Sequence, residues 1–136
     1  MSVTVQDVAN YVLENVGPMT SVKLQKLCFY AQVWTLVATG QVLFPEPIKG
    51  WVHGPVIPAL RYRMRGGVSA NLTAQQIAVL GPVLKKYGGL TARQLSNLTH
   101  REQPWIDSRR GLAPTEAGNR EITPSAIREF YSRQQF

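Results

Sequence analysis

The side chains best suited to metal binding or nucleophilic chemistry in this 136-residue sequence are Cys28, His53 and His100. Their spacing suits neither. A zinc site would show a CxxC, HxxxH or HExxH pattern, and none occurs. Cys28 falls on the apolar stripe of a helical segment, which reads as a small core residue and not as an activated thiolate. Serines and threonines are plentiful, yet there is no GxSxG elbow, P-loop or GxGxxG, and Gly66-Gly67 and Gly88-Gly89 read as helix terminators. The residues assign no catalytic, cofactor-binding or metal-ligating role, so a non-enzymatic protein without cofactor or metal is expected.

The chemistry of association is better represented. The stretch WVHGPVIPAL (51–60) holds a tryptophan, a histidine, a glycine and two prolines. Trp51, Tyr62 and Trp105, with the arginines, are the residue types that anchor protein interfaces, although either tryptophan taken alone reads first as core. The net charge is +7 and uneven. Through Gly50, three lysines balance three acids; from Trp51 onward twelve basic residues face five acids. That asymmetry suits an acidic partner, protein or nucleic acid, and equally a merely soluble surface. Arg61, Arg63, Arg65, Lys85, Lys86, Arg109 and Arg110 would be the phosphate-gripping set. GPMTSVKLQKL (17–27) superficially resembles the second half of a helix-turn-helix, but a recognition helix must expose its first residues, and this segment runs on apolar and aromatic as a core helix does. DNA binding is therefore the lesser reading.

The elements that must position these residues are mainly helical. Val5, Val8, Ala9, Val12, Leu13 and Val16 form one apolar stripe, with Thr4 as N-cap and Gly17-Pro18 as stop. A longer, central helix starts after Thr20 or Ser21, sets Leu24, Leu27, Cys28, Ala31 and Trp34 on one face with Lys23 and Lys26 opposite, and closes at Gly40. Pro45, Pro47, Pro55 and Pro58 exclude a helix from the next stretch, where residues 48–52 suit an edge strand. A short helix after Pro58 would carry Leu60, Arg61, Met64 and Arg65. Thr73–Gln76 and Thr91–Gln94 read as capping boxes, Gly81-Pro82 predicts a kink or a split helix, residues 105–110 one further turn, and Thr123-Pro124 the start of a last helix to about Tyr131. The expectation is a mainly α, compact single-domain bundle of about six helices over residues 1–136, with room for one small strand pair. No basic-then-apolar leader and no membrane-length apolar run is evident, and one cysteine permits no internal disulfide, so a cytoplasmic protein away from membranes is expected.

Four stretches together carry a resemblance: KLQKLCFYAQVW (23–34), LFPEPIKGWVHGPVIPAL (43–60), YGGLTARQLSNLTHREQPW (87–105) and ITPSAIREFY (122–131). In order and spacing they resemble the Panacea-domain proteins, the phage-associated GepA-like family, across nearly the whole chain. The residues that carry it are Lys23, Leu24, Gln25, Lys26, Leu27, Tyr30, Ala31, Gln32 and Trp34 in the first block, Gly54, Pro55, Val56 and Pro58 in the second, and Thr99, His100 and Pro104 in the third. The resemblance implies an antitoxin of a two-gene toxin–antitoxin module, often borne by prophages, that neutralises a cognate toxin, encoded by the adjacent gene, by binding it as a protein. Homo-oligomers are compatible with that role. Some relatives add a DNA-binding helix-turn-helix domain, for which 136 residues leave no room. Val33 and Thr35 stand where relatives often have glycine and histidine, and Gly81-Pro82 interrupts a helix that is usually smoother.

The opening stretch admits two readings. As scaffold, Gly54-Pro55 turns the chain, Trp51 and Val56 pack on the long helix, and His53 fixes the turn through a hydrogen bond. As contact surface, the same stiff loop presents Trp51, His53, Arg61 and Arg65 to a toxin at low entropic cost. Trp105 would lie beneath the loop, making the two tryptophan motifs neighbours.

Overall fold

The computed structural model describes residues 3–60 and 71–136. Helix α1 (Val5–Val16) begins at a reciprocal capping box between Thr4 and Asp7 and buries Val5, Val8, Ala9 and Val12. Helix α2 (Ser21–Thr39) is capped by the Thr20 hydroxyl and ends where Gly40 takes a left-handed φ of 75°. Every residue from Lys26 to Leu36 is buried, so α2 has no solvent face along its middle. A helix buried all round belongs at the centre of a domain, and α2 packs against the elements that follow as well as α1.

Strands β1 (Ile48–Trp51) and β2 (Gly54–Val56) form a hairpin that turns at Val52-His53. A third strand, β3 (Glu121–Ile122), pairs antiparallel with β1, giving the order β2-β1-β3. Residues 48–51 are therefore the middle strand and not an edge. The proline-bearing strand β2 takes the edge, where a missing N–H costs no ladder bond. The bend also differs from expectation: it falls at Val52-His53, and Gly54-Pro55 begins β2. Gly54 supplies a positive φ of 120° there. A Cβ on Gly54 would sit 2.8 Å from Lys26 Cε and 2.9 Å from Thr99 Oγ1, so only glycine lets the hairpin lie this close to α2.

Helix α3 (Ala74–Tyr87) opens with the Thr73–Gln76 capping box and runs unbroken through Gly81-Pro82. The expected split is absent; both residues are exposed, so the backbone groups that proline leaves unpaired face water. Helices α4 (Ala92–Thr99), α5 (Gln103–Ser108) and α6 (Pro124–Tyr131) complete six among the described residues. The short helix expected after Pro58, with Arg61, Arg63, Met64, Arg65 and the Gly66-Gly67 stop, lies outside the described residues.

An aromatic seam joins α2, α3 and α6. Tyr30 and Tyr87 stack at 4.1 Å, Trp34 Nε1 donates to Tyr87 Oη at 2.9 Å, and Tyr131 meets Phe29 and Trp34 edge-on. Lys23 Nζ donates to the carbonyl of Gly88 at 2.7 Å, a cation at the C-terminal end of α3.

Candidate functional site

The polar residues of α2 hold the non-helical segment in place. Gln25 accepts from Ile57 N (2.7 Å) and donates to Ile57 O (3.2 Å), as a neighbouring strand would. Two turns later Gln32 repeats the device, accepting from Leu43 N (2.6 Å) and donating to Phe44 O (2.7 Å). Between them Lys26 Nζ donates to Pro55 O at 3.1 Å. Lys26 was expected opposite the apolar face; it is 2% exposed, because the hairpin folds back over it. Burial lowers its ammonium from the ordinary 10.5 to about 8. Leu24, Leu27, Ala31 and Trp34 are core. The signature of the first block is thus one helix whose apolar residues make the centre and whose amides and lysines pin the loops.

The third block clamps the hairpin from the other side. Trp105 Nε1 donates to Trp51 O at 2.8 Å, and the His100 ring stacks on Trp105 at 4.1 Å. His53, at the turn, is exposed. The two tryptophan motifs are neighbours, as their chemistry suggested. Burial, with Lys26 and other cations nearby, lowers His100 below the usual histidine range, and its Nε2 is buried without a hydrogen-bond partner among the described residues. Thr99 Oγ1 donates to Ser96 O at 2.8 Å, and Pro104 is buried at the start of α5. Glu102 is the N-cap residue of α5, yet its carboxylate makes no cap. It turns inward and accepts from Tyr30 (2.6 Å) and Tyr131 (2.7 Å), fastening α5 to α2 and α6. Burial raises its carboxyl above the ordinary range.

A third clamp comes from the segment between α5 and β3. The Arg109 guanidinium is buried and donates to the carbonyls of Gly50 (3.4 Å), Ala113 (3.3 Å) and Glu116. Arg109 therefore leaves the set of cations available to phosphates. Sequence reasoning missed this role, and that of Asn119, whose Oδ1 accepts from Trp51 Nε1 at 3.1 Å.

The Trp51 side chain stands at the surface. It is 42% exposed although its carbonyl and its indole nitrogen are both hydrogen-bonded. Beside it runs an open groove of about 1130 Å³, walled by Val22 and Gln25 of α2, by Trp51, His53 and Val56 of the hairpin, and by Thr115, Ala117, Gly118 and Asn119. Trp51 and His53 line the groove, while Trp105 reaches Trp51 at its carbonyl and is not one of the groove's walls; Arg61 and Arg65 lie outside the described residues. Lys26 to Leu36 of α2 are buried, while Ser21 and Val22 at its start are exposed. Among the described residues no three His, Cys, Asp or Glu side chains cluster as a metal site, and no helix is long and apolar enough to cross a membrane. Burial raises the Cys28 thiol well above its ordinary value.

No curated protein and no solved structure matches the chain significantly. The family model described as "Antitoxin SocA-like, Panacea domain" matches residues 24–106, from the buried first block on α2 through the tryptophan of the third. The chain belongs to the SocA-like, Panacea-domain antitoxin family.

Proposed function

We propose that this protein is the antitoxin of a toxin–antitoxin module and neutralises a protein toxin, encoded by the neighbouring gene, by direct non-catalytic binding through the Trp51 face. The family supports the role. The observation that carries the surface is Trp51: a large aromatic side chain exposed to 42%, whose backbone is fastened by Trp105 at its own carbonyl and by Arg109 at Gly50, and whose indole is held by Asn119. An aromatic anchor held rigid before binding loses little entropy on association, which is the property of an interface hot spot. His53 and Trp105 flank it.

The test is a rescue assay. The neighbouring open reading frame is induced with and without this protein, growth is followed, and the pair is co-purified at moderate salt. The expected result is arrest by the neighbour alone, restored growth with the pair, and co-elution. A harmless neighbour that does not co-elute contradicts the proposal. A steep loss of DNA affinity with rising salt would instead support a small regulator using the basic second half.

A further inference from the structure

Lys26 pins the hairpin through Pro55 O, yet it is a buried cation with no opposite charge beside it among the described residues. It is 2% exposed, its three ammonium hydrogens find a single acceptor, Pro55 O, among the described residues, and none of the ion pairs among those residues includes it. Arg109, also buried, is instead shared among three carbonyls. A buried charge without an opposite charge is costly, and its site is improved by any anion that reaches it.

Lys26 lies in the lining of the groove beside Trp51. The walls are apolar at Val22, Trp51 and Val56, offer the Gln25 amide between them, and contain no aspartate or glutamate among the described residues. Val22 is 44% exposed and Trp51 42%, so both apolar walls are open to an occupant. The groove also meets the first turn of α2 at Ser21 and Val22, the end of a helix that favours negative charge. Its volume, about 1130 Å³, exceeds the roughly 300–1,000 Å³ typical of small-molecule pockets and suits a short extended segment.

We propose that the groove takes an extended acidic segment of the partner protein, with apolar side chains on Val22, Trp51 and Val56 and one carboxylate paired with Lys26. This rests on the protein-binding reading above and gives the partner its chemistry. It places the toxin's contact on one strip of surface and makes it depend on charge at a single buried position.

The experiment selects a random library of short peptides on the wild-type protein, with counter-selection on Lys26→Met, and measures the affinity of the recovered peptides by fluorescence polarisation. Recovered peptides should carry Asp or Glu and bind wild type about tenfold or more tighter than Lys26→Met. Glu→Gln in the peptide should give a similar loss. Val22→Glu sits on the exposed wall and keeps the test valid if Lys26→Met folds poorly; it should weaken binding while melting with wild type. Peptides without an acid, peptides blind to both substitutions, or no recovered peptide would overturn the proposal. So would a wild-type dimer that Val22→Glu dissociates, since a second copy would then occupy the groove. If the neighbour-encoded protein proves harmless, the antitoxin reading fails and the peptides still decide the groove. If the toxin co-elutes and an acidic groove peptide does not displace it, the antitoxin reading stands and this proposal fails.

Discussion

Gln25 and Gln32 show how single side chains fix the segment that carries Trp51. Each satisfies a backbone donor and a backbone acceptor of a loop that has few ladder bonds of its own. Gln25→Ala or Gln32→Ala leaves two loop groups unpaired, and each should cost about 2–3 kcal/mol in urea unfolding. Two turns of helix separate them by roughly 10 Å, so the double substitution should be close to additive. Lys26 gives a pH signature. Its ammonium is lowered to about 8 in the native protein, so between about 8 and 10.5 the unfolded chain holds a proton that the native lysine has released. The Lys26 contribution to stability should therefore rise with pH through that window, by up to about 3 kcal/mol on its own. The Cys28 thiol, raised by burial above its ordinary 9.0, and Tyr30, Tyr87 and Tyr131, pushed above the ordinary 10, act in the opposite sense at higher pH, so the window from about pH 8 to 9 is the one to measure. Lys26→Met should flatten the rise between about pH 8 and 9; an unchanged slope would contradict the burial of this charge. Sequence legibility differs among these residues. Trp51 and Trp105 stood out by type and proved adjacent. Lys26 did not, because a helical wheel places a lysine by its angle on its own helix and knows nothing of the hairpin folded over it. Glu102 did not stand out either, because the two buried phenols that capture it are 72 and 29 positions away in the chain.

At the scale of elements, capping chemistry was the readable part. Thr4, Thr20, Thr73, Thr91 and Thr123 all cap the helices they were expected to open, since these bonds are local. What long-range packing decides was not readable. The third strand is two residues long, and β1 becomes central only because Glu121 and Ile122 return beside it. Proline in α3 suggested a break, and the helix absorbs it on its exposed side. Gly81 there has open space where a Cβ would stand. Gly50 is the opposite case. A Cβ on it would lie 1.8 Å from Ser108 Oγ and 2.6 Å from Ser108 Cβ, where β1 crosses α5. Gly50→Ala should destabilise by about 1–3 kcal/mol, and Ser108→Gly in the same chain should recover part of the loss. No recovery would mean that the two elements are not in contact through these residues.

At the scale of the molecule, α2 is both core and fastener. Its apolar residues give the bundle its centre, and its amides and lysines pin the hairpin and the end of α3. The mainly α architecture was legible from periodicity, and the family from three blocks whose order the fold now explains: the first pins the second and the third clamps it. The net charge of +7 was a weaker guide, because Lys26 and Arg109 are buried in the scaffold and do not lie on the open surface. The proposed protein–protein contact has the exposed Trp51 as its anchor. The most direct measurement is the affinity of the purified protein for the neighbour-encoded toxin by titration calorimetry, for wild type and Trp51→Ala, with thermal melts alongside. The expected result is a loss of about 2 kcal/mol or more in binding with melts that nearly coincide. Equal affinities for the two proteins would contradict Trp51 as the anchor.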